Sequence, residues 1–131
     1  MYNNQTTLKL TGHLIKPNEQ RPRSELHKRA QAILVDIFPT LQIATEVPIV
    51  VFRPKILYLD FFVPDCKLVI EVHGIQHYKF NTMFHSSAQD FINQKKNDEY
   101  KREWSAVNNF YHVELPYNEK DEEWIQRIQK K

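Results

Sequence analysis

The sequence predicts an α/β fold: a helix, a three-stranded antiparallel sheet, a second helix, a fourth strand and a short C-terminal helix. Three observations predict it. Apolar residues recur at helical spacing over 22–37, three strand-like stretches follow one another between 42 and 73, and residues 59–73 read as two apolar strands folded about a turn at 64–67.

The first helix opens at Pro22-Arg23-Ser24, carries Leu26, Ala30, Ile33, Leu34 and Ile37 on one face, and ends at Phe38-Pro39. Residues 42–51 are β-branched and apolar, and Pro48 makes this an edge strand or one that bends there. Arg53-Pro54-Lys55 turns the chain back. Residues 56–63 and 67–73 are apolar on both faces, as strands covered by helices are. A loop rich in aromatic and histidine residues leads to Ser86-Ser87-Ala88-Gln89-Asp90, a capping-box-like start with Asp90 in place of Glu or Gln. The long helix that follows, roughly 87–106, has its apolar pattern interrupted by Gln94-Lys95-Lys96-Asn97-Asp98-Glu99, so its middle turns either meet water or face a charged site. Residues 110–115 make the fourth strand, and residues 121–130 the final helix.

At 131 residues the chain has the length of one domain, divided into a basic N-terminal arm at 1–21, where 6–11 reads as a short strand, and a single domain at 22–131. A lone cysteine, Cys66, excludes an internal disulfide and a cysteine-built zinc site. Neither a signal peptide nor an apolar membrane span is evident, so no membrane partner and an intracellular, cytoplasmic setting are expected. Two glycines are too few for a glycine-rich phosphate loop.

The chemistry concentrates in the hairpin. Across a four-residue turn Asp60 lies opposite Glu71 on one face, and directly opposed carboxylates in an apolar strand pair destabilise the sheet unless something compensates them. A divalent cation does so. Hard cations such as Mg²⁺, with Mn²⁺ as a substitute, take carboxylate oxygens, and the Val72 carbonyl is a third candidate ligand. His73, two residues beyond Glu71, shares its face and suits the role of base or water-positioning group, or that of ligand to a softer metal. His77 and Gln76 follow toward the mouth of the site, and Glu25 in the first turn of helix one offers a further carboxylate.

Net charge is +2, but residues 9–29 carry six basic side chains against Glu19 and Glu25, and this half is suited to a polyanion. Arg21, Arg23 and Lys28 there, Gln76 and Lys79 in the loop, and Lys95 and Lys96 on helix two are the residues expected to touch nucleic acid. For the helix face, including Lys101 and Arg102, simple solvation is the competing reading.

Leu59-Asp60-Phe61, the run Lys67 through Glu71-Val72-His73-Gly74-Ile75-Gln76-His77, and Glu46-Val47-Pro48-Ile49 together resemble the PD-(D/E)XK nuclease superfamily. Within it they are similar to domains related to very short patch repair endonucleases and to phage homing endonucleases in which histidine replaces the usual lysine. The resemblance spans roughly 25–117. It implies a restriction-endonuclease-like core and Mg²⁺-dependent cleavage of DNA in a bacterial or phage-infected cell. By position it makes Asp60 and Glu71 the metal-binding acids, His73 the counterpart of the lysine, and Glu25 and His77 further catalytic residues. A homodimer or larger assembly would supply sequence recognition. The alternatives are a catalytically inactive nuclease-like module that binds DNA or protein, and a nuclease specific for branched DNA.

Overall fold

The computed structural model describes residues 12–15, 24–83 and 85–131. The expected strand at 6–11, most of the N-terminal arm, the Pro22 helix start, and Arg21 and Arg23 lie outside the described residues. The elements are β1 (His13–Leu14), α1 (Glu25–Ile37), β2 (Ala44–Phe52), β3 (Lys55–Val63), β4 (Leu68–His73), α2 (Ala88–Val107), β5 (Tyr111–Pro116) and α3 (Asp121–Gln129). Each expected helix and strand in the described region is present, with ends that coincide or shift by up to three residues.

The strands form one mixed sheet in the order β1-β2-β3-β4-β5. Among the described residues β1, two residues long, pairs with Ala44 and Thr45 and the rest of β2 is bonded on one side, an arrangement that tolerates Pro48, which lacks an N–H. β2, β3 and β4 are consecutive antiparallel neighbours. β5 runs parallel to β4, and α2 supplies the long crossover that a parallel neighbour needs.

Period-2 alternation divides β4 between two cores, and every residue of β4 is buried. Leu68, Ile70 and Val72 join Phe61, Val63, Val113 and Leu115 beneath Ala30 and Leu34 of α1 and Trp124 and Ile128 of α3. Val69 joins Val47, Ile49, Val51, Leu59 and Phe62 beneath Trp104 of α2. The sheet is thus covered by α1 and α3 on one face and α2 on the other. None of the helices among the described residues is long and apolar enough to cross a membrane.

Local chemistry sets the ends. Ser24 caps α1 by accepting the His27 N–H at 3.2 Å, so the helix begins at Glu25. Ser87 caps α2 by accepting from the Asp90 N–H at 3.3 Å, and Asp90 reaches back, as its position in the sequence suggests, but to the Ser86 N–H at 3.0 Å rather than to that of the cap. The β3–β4 connection is one 3₁₀ turn, Pro64–Cys66, closed by Lys67 in the left-handed region at φ 51. This four-residue link fixes the register at Phe61↔Ile70, Phe62↔Val69 and Val63↔Leu68, which places Asp60 opposite Glu71.

Leu68, wholly buried in the core beneath α1 and α3, and Val50, 44% exposed near the β2 hairpin end, provide a test of the core assignment. Leu68→Ala is expected to cost about 2–5 kcal/mol and Val50→Ala less than about 1 kcal/mol by urea denaturation. Equal losses in the two variants would contradict this placement of the core.

Candidate active site

At Asp60 the sheet stops behaving as a sheet. The β3–β4 ladder ends at Phe61↔Ile70, and on the other side Thr45 pairs with Phe61 and Val47 with Leu59 while Glu46, at φ 55, is skipped. Asp60 therefore has a ladder partner on neither side, and its buried backbone groups need other bonds. Side chains supply them. The Asp60 N–H donates to Glu71 Oε2 at 2.7 Å, and the Asp60 carbonyl accepts the Thr45 hydroxyl at 2.7 Å. In return, the Val72 N–H donates to Asp60 Oδ2 at 2.8 Å. The two acids are thereby held by each other's strands.

The remaining oxygens meet cationic or polar groups from both helix layers. His27 of α1 donates through Nε2 to Asp60 Oδ1 at 2.9 Å, with its Nδ1 2.9 Å from the Ser24 hydroxyl. Lys101 of α2 donates to Glu71 Oε1 at 2.7 Å. Glu71 is almost wholly buried, whereas the Asp60 side chain is 23% exposed, so the cluster opens to solvent on the Asp60 side.

The electrostatics follow from this packing. Burial raises the Asp60 pKa, but His27, Lys101 and the Val72 N–H outweigh it and hold the carboxyl below its ordinary value. Burial and the Asp60 charge push Glu71 up to about 8, against the pull of Lys101 and the Asp60 N–H. Burial disfavours the Lys101 ammonium, yet Glu71 and Asp60 raise its pKa above the usual lysine value, so Lys101 is charged.

His73 shares the Glu71 face but takes a different environment from the one expected of a solvent-facing base. Its side chain is 2% exposed, its Nδ1 is 3.9 Å from Glu114 Oε1, and its ring stacks on His77 at 4.1 Å between centroids and 5° between planes. Burial and the neighbouring His77 pull its pKa down to about 4, so the ring is neutral and weakly basic at neutral pH. His77 bonds Asp98 through Nδ1 at 2.9 Å and Gln94 through Nε2 at 3.2 Å. Glu114 of β5 takes Arg102 on both oxygens and His112 on Oε2; although burial opposes it, these partners bring its carboxyl down to about 2.

Of the residues singled out in the sequence, Asp60 and Glu71 come together, the group of Val72 bonded to them being its N–H and not the carbonyl expected as a ligand, with His73 and His77 stacked on the α2 side. Glu25 does not join them. Its side chain is 91% exposed and pairs with Lys28 at 3.5 Å, because the first turn of α1 directs His27, two residues on, toward Asp60. The Gln76 amide lies against Gly74, where a Cβ would stand 3.1 Å from its carbonyl carbon. Lys28, Lys79, Lys95 and Lys96 are exposed, and Lys95 lies 5.8 Å from the ring centroids of both Tyr78 and Phe91. Lys101 is not a solvated residue: its side chain is 14% exposed and bonded to Glu71. His27, Lys101, Asp98 and Gln94 were not identified from sequence as members of the site; the polar run that interrupts α2 was a signal for Gln94 and Asp98 alone.

The chain is 43% identical over 65 residues to uncharacterized protein 307L of Invertebrate iridescent virus 6, an alignment covering 50% of this chain and 33% of that protein. It is 39% identical over 61 residues to uncharacterized protein 033L of Invertebrate iridescent virus 3, covering 47% and 31% respectively. With uncharacterized protein 094L of Frog virus 3 the identity is 36% over 68 residues, covering 51% and 44%. The matched stretch thus spans between about a third and under half of these relatives. No protein-family model matches the chain, and no solved structure does.

The raised Glu71 pKa has a testable sign. In the unfolded chain Glu71 ionises near 4.5 and in the fold near 8, so its contribution to stability is fully present below 4.5 and is lost as pH rises to 8. Glu71→Gln is expected to melt at a temperature that falls less than wild type between pH 5 and 8 in chelator. Parallel pH profiles for the two proteins would refute the buried, proton-retaining acid.

Proposed function

We propose that the chain is a metal-dependent DNA endonuclease in which Asp60 and Glu71 hold a hard divalent cation. The observation that carries this reading is the opened hairpin itself. Two acids, each bonded to the other's strand, sit against one lysine and one histidine, and burial together with the Asp60 charge pushes Glu71 up to about 8. The donor set fits Mg²⁺ or Mn²⁺, since each carboxylate oxygen accepts one hydrogen bond and keeps a second lone pair. When bound, such a cation polarises a phosphodiester and acidifies a water.

The chain's own residues then have distinct tasks. The Val72 N–H and His27 fix the Asp60 carboxylate, and the Asp60 N–H fixes Glu71. Lys101 places a permanent positive charge at Glu71, where it can stabilise a developing negative charge on phosphate. This is the task that the resemblance assigns to the position of His73, which as a neutral ring is left to position water or act as a weak base. The exposed Lys79, Lys95 and Lys96 suit contact with the phosphate backbone. An assembly would supply sequence recognition.

One observation favours the alternative of a nuclease-like module that binds without cleaving. All four carboxylate oxygens already have a protein donor, so the cluster is complete as a structural ion-pair network.

Plasmid nicking separates the two. The full chain is expected to cleave supercoiled plasmid with Mg²⁺ or Mn²⁺ and not with chelator, more rapidly as pH rises toward 8, because ionised Glu71 is the form that takes a cation. Asp60→Asn and Glu71→Gln are expected to lose at least about 10²-fold of the rate, and Lys101→Met a comparable factor. Retention of plasmid without cleavage under every metal, in protein shown to be folded, would favour the binding module.

A further inference from the structure

Beside the acid pair lies a second cluster of ligating side chains. His73 at the end of β4, His77 in the turn that follows and Asp98 in the middle of α2 each present one ligand atom, and these atoms lie within 4.8 Å of one another. All three are largely withdrawn from solvent, with side-chain exposures of 2%, 13% and 4%. We propose that His73, His77 and Asp98 bind one transition-metal cation of the zinc class, at a site separate from Asp60 and Glu71.

The donors set the chemistry. Two imidazoles and one carboxylate suit Zn²⁺ and its neighbours rather than Mg²⁺, and three protein ligands leave a fourth position open. An independent observation points to a ligand. His73 Nε2 is buried and has no hydrogen-bond partner, an unfavourable state for a polar atom withdrawn from water. A cation at this atom relieves it.

The surrounding hydrogen bonds define what binding has to change. The Asn81 N–H donates to His85 Nδ1 at 3.0 Å, so the His85 proton is on Nε2 and donates to Gln94 Oε1 at 2.8 Å. The Gln94 amide then donates to His77 Nε2 at 3.2 Å, which leaves the His77 proton on Nδ1, pointing at Asp98 2.9 Å away. A cation between His77 Nδ1 and Asp98 takes the place of that proton, which moves to Nε2. Gln94 must then turn its amide oxygen toward His77 and give up its bond to His85. The parallel rings of His73 and His77 also turn toward each other, because stacked imidazoles hold their in-plane lone pairs parallel. Gln94 is accordingly a positioning residue that favours the metal-free tautomer.

Co²⁺ is the probe. The full chain, stripped with chelator, is expected to bind, apart from any ion on the acids, one equivalent whose visible d–d absorption Zn²⁺ abolishes and excess Mg²⁺ does not. His77→Ala and Asp98→Asn are expected to lose the band and Glu71→Gln to keep it, with folding of each checked by circular dichroism in chelator. Gln94→Glu, whose carboxylate accepts from both His77 and His85, is expected to tighten binding, and Gln94→Leu to change affinity by about 10–100-fold without altering the melting curve in chelator to match. In wild-type protein, paramagnetic shifts in the NMR spectrum should centre on the His73 and His77 rings. Absence of a Co²⁺ band, a band that depends on Glu71 instead, or shifts centred on His27 or His112 would overturn the site. None of these outcomes depends on DNA cleavage, so failure here and failure of the nuclease reading are distinguishable.

Discussion

The break in backbone pairing at Asp60 is the constraint on which the rest of the site depends. An Asp60 with ordinary ladder partners would need neither the Glu71 carboxylate nor the Thr45 hydroxyl. Because Glu46 adopts a left-handed conformation and the β3–β4 ladder stops at Phe61, those two side chains serve the Asp60 backbone instead. The same exchange fixes both acids without any loop. A cluster held this way is positioned as rigidly as the strands that carry it, which is what a site needing sub-ångström placement requires.

Holding two acids together in an apolar layer has an electrostatic cost, and the fold distributes the compensation between its helix layers. α1 contributes His27 to the half-buried acid, and α2 contributes Lys101 to the fully buried one. The compensation is incomplete, because Glu71 still retains its proton up to about 8. A divalent ion would relieve what Lys101 leaves. The long polar middle of α2 acquires a single explanation from this arrangement: Asp98 and Gln94 line the histidine pair, and Lys101 reaches the acids one turn farther on.

The acid pair was legible in the sequence because strand periodicity and a short turn are local rules, so counting across residues 64–67 was enough to set Asp60 against Glu71. The position of the β2 irregularity was less so. Pro48 drew attention to a bend, while the backbone departs at Glu46 and the register shifts between Val50 and Phe52, neither of which was identified from the sequence. The charged run in α2 was visible as a departure from amphipathic spacing, but which of its residues turn inward depends on how α2 crosses the sheet, a tertiary fact. For that reason Lys101 was open to reading as a solvated residue, although its side chain is only 14% exposed. Glu25 and His27 illustrate the same limit within one helix turn: sequence placed the acid in the site, and the helix azimuth delivered the histidine.

The central claim is that Asp60 and Glu71 together hold a divalent cation, and crystals soaked in Mn²⁺ test it most directly. The account predicts an anomalous-scattering peak bonded to a carboxylate oxygen of each residue. A peak confined to His73, His77 and Asp98, or none on the acids in a crystal where both carboxylates are ordered, would contradict it.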